Sequence, residues 1–234
     1  MNIIVTGAGK GVGREVVIAL SKQKSNHIIA ISRNGKALET LVRECSVSHP
    51  GSQVTPYEFD LQQFDFYPFI IQRLGTLIPN CDVVVHNAGK LINKPFEKLT
   101  PSDFDDIYNV NVRAPFFFTQ ALLPMMSKGG HIVNIGSMGG VPGTKKYRGL
   151  SAYSSSKGAL HVLTEMLAEE LAPKEISVNC LALGSVQTEM FNAAFPGVKA
   201  ALSPAQMGRF IADFAVTGHR YFNGKILPVA VSTP

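Results

Sequence analysis

The chain has 234 residues, 45% of them hydrophobic and 17% charged, the balance of an ordinary globular protein. One large α/β domain spanning 1–234 accommodates that length, and such a chain buries most of its apolar surface in a single core. Lys and Arg total 22 against 17 acids, a formal +5, which fits either a mildly basic surface or a site for an anionic ligand. A nucleic-acid surface is disfavoured, because no Lys/Arg run exceeds Lys145-Lys146. Three scattered cysteines, Cys45, Cys81 and Cys180, argue against a disulfide framework and against a metal site. No apolar stretch approaches the ~20 residues of a membrane span. The chain opens Met1-Asn2 and enters a strand-like run with no basic leader, so no signal peptide is expected and the default compartment is the cytoplasm.

In chain order, Asn2–Thr6 reads as a buried strand ending at glycines, and Gly11–Lys22 as a helix with Val12, Val16, Val17 and Leu20 at helical spacing. His27–Ser32 is a second strand, Gly35–Ser46 a helix, and Gln53–Phe59 a third strand. Asp82–His86 is apolar without polar alternation, the mark of a strand covered on both faces. Ser102–Ser127 reads as one or two helices. His131–Ser137 and Ile176–Leu183 are strands, with a helix over about Ala152–Leu171 between them. From Gly197 the pattern weakens, and Pro228 counts against a final strand. This alternation predicts a doubly wound parallel sheet with helices on both faces.

The first strand runs into Thr6-Gly7-Ala8-Gly9-Lys10-Gly11-Val12-Gly13 and then a helix. Glycines there permit the tight turn, the approach of a pyrophosphate to the backbone, and close packing of helix on strand. The helix start offers N–H groups and a positive dipole end to phosphates. A merely tight structural turn is the plain alternative. At the end of the second strand an acid would hold the ribose hydroxyls of NAD. Ser32-Arg33 stands there instead. Arg33 can grip a 2′-phosphate bidentately, and Lys10 can add a second charge. NADP(H) is therefore expected over NAD(H), the competing reading being two solvated surface cations.

Tyr153-Ser154-Ser155-Ser156-Lys157 opens a helix, and its i, i+4 spacing puts Tyr153 and Lys157 on one face. A free tyrosine has a pKa near ~10, and a neighbouring ammonium lowers it toward the working range. Ser137 closes a strand at the edge where parallel sheets gather ligands. Its hydroxyl could hold a carbonyl oxygen beside the tyrosine. The Asn111 amide could hold a water and pass protons onward, or could satisfy a local helix kink.

Together these residues resemble the short-chain dehydrogenase/reductase family, from Asn2 to about Met190. Thr6–Gly13 matches the family's glycine turn. His86-Asn87-Ala88-Gly89 matches its Asn-Asn-Ala-Gly segment, with His86 in place of the first Asn. The resemblance implies a Rossmann-type fold and a site in named parts. Asp60 and Leu61 meet the adenine, and Asn87, Ala88 and Gly89 line the cofactor. Asn111, Ser137, Tyr153 and Lys157 form a catalytic tetrad. Gly184, Val186 and Thr188 meet the nicotinamide. It further implies hydride transfer between nicotinamide and a small carbonyl or alcohol, with Tyr153 exchanging the proton and Lys157 bonding the nicotinamide ribose. A homodimer or homotetramer is implied too, for which Phe116-Phe117-Phe118 and the stripe Leu160, Leu163, Leu167 would fit an interface or equally the core. A cofactor-binding regulator without turnover is the alternative from another class, against which the intact Ser137, Tyr153 and Lys157 speak.

The sequence departs from the family at three places. Leu183 stands where Pro precedes Gly184. The interval from Ser137 to Tyr153 is long, with the extra residues assigned to Thr144–Leu150, whose Lys145, Lys146 and Arg148 form either a rim for an acidic substrate or a solvated loop. The tail Asn223–Pro234 lacks the family's Asp-Gly-Gly ending. A short lid over a small or apolar carbonyl is expected near 188–204, carrying Met190, Phe191, Phe195 and Pro196, unless these side chains pack on the body of the protein.

Overall fold

A computed structural model describes residues 1–231; the last three residues of the atypical tail lie outside that range. The strands are β1 (Asn2–Thr6), β2 (His27–Ser32), β3 (Gln53–Glu58), β4 (Cys81–His86), β5 (Met126–Ser137), β6 (Ser177–Leu183) and β7 (Ile226–Val229). They form one sheet in the order β3-β2-β1-β4-β5-β6-β7, every neighbouring pair parallel. The helices are α1 (Gly11–Leu20), α2 (Gly35–Ser48), α3 (Tyr67–Gly75), α4 (Pro101–Tyr108), α5 (Ala114–Leu122), α6 (Ser151–Leu171), α7 (Glu189–Ala194) and α8 (Pro204–Thr217).

The strands lack polar alternation because both faces of the sheet are covered. Ile3, Val5, Ile28, Ala30, Val83 and Val85 point to one core, against Val16 and Leu20 of α1, Leu38 and Leu41 of α2, and Met207 and Ile211 of α8. The residues between them, Ile4, Ile29, Ile31 and Val84, point to the opposite core with Tyr67 and Leu74 of α3 and Phe118 and Leu122 of α5. Ala168 and Leu171 of α6 cover Ile132 of β5 and Val178 of β6. Both edge strands carry a proline, Pro56 in β3 and Pro228 in β7, where a missing N–H faces no further strand. The doubtful final strand therefore exists, in the one kind of position a proline permits.

Three helices escaped the sequence reading, among them the short α7, capped by Thr188 where a lid was expected. α3 begins at Tyr67-Pro68, proline being suited to a first turn. α8 falls where the pattern weakened, although Ser203-Pro204-Ala205-Gln206 spells its start. Ser203 Oγ accepts from Gln206 N at 3.2 Å, and Gln206 Oε1 accepts from Ser203 N at 2.9 Å. The segment read as one or two helices is two, joined by a widened π-type turn over Asn109–Arg113. Pro115 explains the widening. It has no N–H to give the Asn111 carbonyl, and its ring pushes that carbonyl away.

Three histidines are buried by this packing. His86 pairs with Thr119 Oγ at 2.8 Å, and His131 lies 2.9 Å from the Ala215 carbonyl oxygen and 3.0 Å from Asn179 Nδ2. Burial holds all three imidazoles neutral, pushing His86 down to about 3 and His131 and His161 to about 4, from an ordinary 6.5. The unfolded chain binds more protons between those values, so stability is full above about pH 6.5 and is lost as pH falls toward the folded values. The slope approaches ~1.4 kcal/mol per pH unit per histidine. Urea unfolding followed downward from neutral pH will show the midpoint falling below about pH 6.5. His86→Gln will flatten that fall, and a midpoint constant across the range would refute the assignment.

Candidate active site

Every strand of a parallel sheet ends on the same edge, so the segments after β1, β2, β3, β4, β5 and β6 meet there. Strand order reverses between β1 and β4, which opens a crevice at their carboxyl ends. Asn87 spans it. Its Nδ2 donates to the carbonyl oxygens of Thr6 at 3.0 Å and Gly7 at 3.2 Å, while its backbone N–H donates to Thr6 Oγ at 3.1 Å. Ala88 N donates to the same hydroxyl at 3.1 Å.

The turn Gly7–Gly13 is shaped by this contact. Gly7 has φ 67°, and a Cβ on it would lie 2.8 Å from Ala88 Cα. A Cβ on Gly13 would collide with the Asn87 amide and lie 2.5 Å from the Gly7 carbonyl oxygen. A Cβ on Gly9 would meet Ser32 Oγ at 2.6 Å, so the ends of β1 and β2 touch here. Val12 packs against the core beneath. Lys10 caps α1 with backbone only, and the first turn of α1 carries no acid. These are the features of a helix start that receives an anion.

The two cations read as a phosphate clamp are both exposed, and each has a carboxylate partner. Arg33 Nη1 lies 3.8 Å from Asp60 Oδ2, and Lys10 Nζ lies 2.8 Å from Glu189 Oε2. Asp60 also accepts from Gln62 N at 3.0 Å, fixing the bend after β3, and the Leu61 side chain is buried in the core. Leu61 therefore offers this edge only its backbone.

Asn111, Ser137, Tyr153 and Lys157 are brought together. The widened turn carries Asn111, fully buried, into the loop after β4. Its Oδ1 accepts from Lys90 N at 2.8 Å, and its Nδ2 donates to the Lys90 carbonyl oxygen and to Ser156 Oγ, both at 2.9 Å. The amide thus ties three segments together rather than satisfying its own kinked helix. A Cβ on Gly89 would lie 3.6 Å from Asn111 Oδ1 and 3.7 Å from Lys157 Nζ, so both groups face one small space. Lys157 is 4% exposed and donates to the Ile135 carbonyl oxygen at 2.8 Å. Burial lowers its pKa to about 8. Its Nζ lies 5.9 Å from the centre of the Tyr153 ring. Burial raises the Tyr153 phenol, and a hydrogen bond with Ser137 draws it back down. The downward pull on the phenol thus comes from the serine hydroxyl, where the sequence pointed to the lysine.

Several contributors have no local signature in the chain. Thr6 receives two backbone N–H groups, and Ser156 holds the Asn111 amide while donating to the Tyr153 carbonyl oxygen at 2.7 Å. His161 sits one turn beyond Lys157, its ring bonded to the Gly140 carbonyl and its Nε2 buried with no partner among the described residues. His86, where the family has Asn, is a buried structural group beside Phe118.

After β6, Gly184 packs on β7: its N–H donates to the Val229 carbonyl oxygen at 2.9 Å, and a Cβ would meet Ala230 Cβ at 2.8 Å. Val186 is a core residue. Thr188 Oγ caps α7 by accepting from Phe191 N at 3.1 Å, and its methyl lies 3.5 Å from where a Gly11 Cβ would stand. The segment beyond is tethered. Asn93 Nδ2 donates to the Ala194 carbonyl oxygen at 2.6 Å, and the Phe195 ring meets Tyr147 edge-on at 5.8 Å. The basic loop is partly self-bound. Lys146 Nζ donates to the Val141 carbonyl oxygen at 2.6 Å, and Lys145 lies over Tyr147 at 5.5 Å.

A glycine turn at the switch point of a parallel sheet, with a tyrosine, serine and buried lysine converging beside it, defines a dinucleotide-dependent α/β oxidoreductase. The chain belongs to the short chain dehydrogenase family, whose profile matches residues 1–199. It is 35% identical to mouse L-xylulose reductase, over 88% of this chain and 82% of that protein. It is 28% identical to the hydroxynaphthalene reductase-like protein Arp2 of Metarhizium acridum, over 96% and 91% of the two chains. A short chain dehydrogenase from Shigella flexneri, solved in complex with NADP, superposes with a TM-score of 0.88 at 28% identity, covering 97% of this chain and 95% of that one.

Gly13→Ala tests the tie at the switch point. The added methyl must displace the Asn87 amide or lift α1 off β1. The loss expected is about 1–3 kcal/mol, read from the urea midpoint. An unchanged midpoint would mean that the turn yields without disturbing Asn87.

Proposed function

We propose that this protein is an NADP(H)-dependent carbonyl reductase, able to run in reverse on the alcohol, with Tyr153 exchanging the proton on the substrate oxygen. The observation that carries the reading is the convergence of Ser137, Tyr153, Lys157 and Asn111 at the carboxyl edge beside the glycine turn. The reductase names of the mouse and Metarhizium relatives support carbonyl reduction.

The glycine turn and the acid-free start of α1 fit a diphosphate, and Asn87, Ala88 and Gly89 line the crevice beside it. Arg33 and Lys10, at the ends of β2 and β1, fit a 2′-phosphate, with Ser32 beneath them and Asp60 and Leu61 toward the adenine. The NADP bound in the Shigella relative supports the same choice. Gly184, Val186 and Thr188 bound the nicotinamide end. When bound, the nicotinamide supplies or accepts the hydride.

The remaining work falls to side chains. A phenol held protonated by burial suits donation to a forming alkoxide. Ser137 bonds the substrate oxygen beside it. Lys157, its Nζ 5.9 Å from the centre of the Tyr153 ring, would bond the nicotinamide ribose. Asn111 Oδ1 faces the same space as Lys157 Nζ and can seat a water that returns the proton.

Tyr153→Phe removes the proton donor and little else. Reductase activity toward a panel of aldehydes and ketones should fall by at least the ~10²-fold typical of a lost acid–base group, while NADPH binding persists. Full activity in that variant would remove the mechanism. NADPH binding by the wild type with no turnover of any carbonyl would favour a regulator.

The interface expected of the family is supported by a split in the apolar stripe. Phe118 and Leu160 belong to the core, whereas Phe116, Phe117, Val162 and Met166 are exposed. A groove of about 400 Å³ between α5 and α6 is lined by Leu123, Val162, Met166 and Leu167. A homodimer through this face covers it. Light scattering should give a dimer or tetramer for the wild type and a smaller species for Met166→Glu; equal masses would exclude this face.

A further inference from the structure

The Lys10–Glu189 ion pair joins the segment after β1 to the segment after β6 at the carboxyl edge of the sheet. Lys10 sits in the glycine turn after β1, and Glu189 is the first residue of α7, after β6. The two segments also touch at Gly11 and Thr188, so the pair closes an existing contact.

We propose that Glu189 is a specificity-determining residue, the counter-ion that Lys10 must leave to meet a 2′-phosphate. This rests on the reading of Lys10 as part of an NADP(H) site. A lysine ammonium is a compact charge that cannot serve a carboxylate and a phosphate fully at once. A phosphate monoester carries about −1.5 to −2 at neutral pH and draws the ammonium away from a single carboxylate. The ribose of NAD(H) has an uncharged hydroxyl there, so Lys10 stays with Glu189. Glu189 thereby taxes NADP(H) binding and leaves NAD(H) binding alone. Arg33 likewise has a carboxylate partner, Asp60, at the longer distance of 3.8 Å.

The tax is small, because both side chains are about 70% exposed. Exposed pairs are worth up to ~1 kcal/mol, which converts to roughly two- to fivefold in affinity.

The test is equilibrium binding of NADPH and of NADH, followed by cofactor fluorescence at low ionic strength, to wild type, Glu189→Gln, Lys10→Met and the double variant. Glu189→Gln should tighten NADPH roughly two- to fivefold and leave NADH unchanged. Lys10→Met should weaken NADPH, and adding Glu189→Gln to it should restore nothing. Equal tightening of both cofactors would overturn the proposal, since Glu189 would then merely repel the shared diphosphate. A gain that persists in the Lys10→Met background, or no gain at all, overturns it too. A wild type that binds NADH as tightly as NADPH defeats the NADP(H) reading and this proposal with it. A wild type that prefers NADPH but gains nothing from Glu189→Gln defeats this proposal alone.

Discussion

The amide of Asn87 is the contact on which the rest of the site depends. A parallel sheet whose strand order reverses has, between β1 and β4, two neighbours whose onward chains diverge to opposite faces. Nothing in the strand ladder beyond Thr6 and His86 holds those onward chains together. Asn87 does, through two carbonyl oxygens of the first turn, with Thr6 Oγ taking two N–H groups in return. Such a knot requires the glycine turn to lie close against it, and Gly7 and Gly13 supply the room. A helix start presented at a fixed distance from the sheet edge is the consequence.

The same loop reaches the chemical end of the crevice. Lys90, three residues on, gives both its backbone groups to Asn111, and Asn111 reaches them because Pro115 forces a wider turn. Helix α6 joins through Ser156. Lys157 is then lowered into a space that burial makes unfavourable for an ammonium, and its proton is held less tightly than that of a free lysine. The tyrosine meets the opposite pressure, since burial favours its neutral form. The Ser137 hydroxyl acts against that burial by bonding the phenol.

Much of this was legible in the chain, and the division follows sequence distance. Strands with both faces apolar, the glycine turn and the pair Tyr153–Lys157 are short-range patterns, and each stands where the pattern placed it. Asn111 was found without its partners, because Lys90 and Ser156 approach it only after folding. Arg33 and Lys10 were read as a phosphate clamp without their carboxylate partners, because Asp60 follows β3 and Glu189 opens α7, both distant in sequence. The missed α8 is a different case. Its capping box stands at Ser203–Gln206, and Met207, Ile211, Phe214 and Ala215 recur at helical spacing on one buried face, so the signal was in the chain and was passed over. The row Phe116–Phe118 could not be divided by composition. Where each ring points is set by α5 leaving the widened turn, which sends Phe118 to the core and Phe116 and Phe117 outward.

The loop after β4 also fixes the far side of the crevice, and this explains a charge pattern that looked like surface basicity. Lys90 and Lys94 each reach a carboxylate of α4 at 2.6 Å, Asp106 and Asp103. These pairs are half-exposed and individually weak, but they hold the loop against α4 while its backbone holds Asn111. Between them in sequence, Asn93 bonds the last residue of α7, and Lys94 N donates to the Gly149 carbonyl oxygen at 3.0 Å, tying down the long basic loop. One loop therefore touches the glycine turn, the widened turn, the end of α7 and the loop before α6. The extra residues between Ser137 and Tyr153 are accommodated because that loop pins their far end. Ser137 can then stay beside Tyr153 although more chain than usual lies between them.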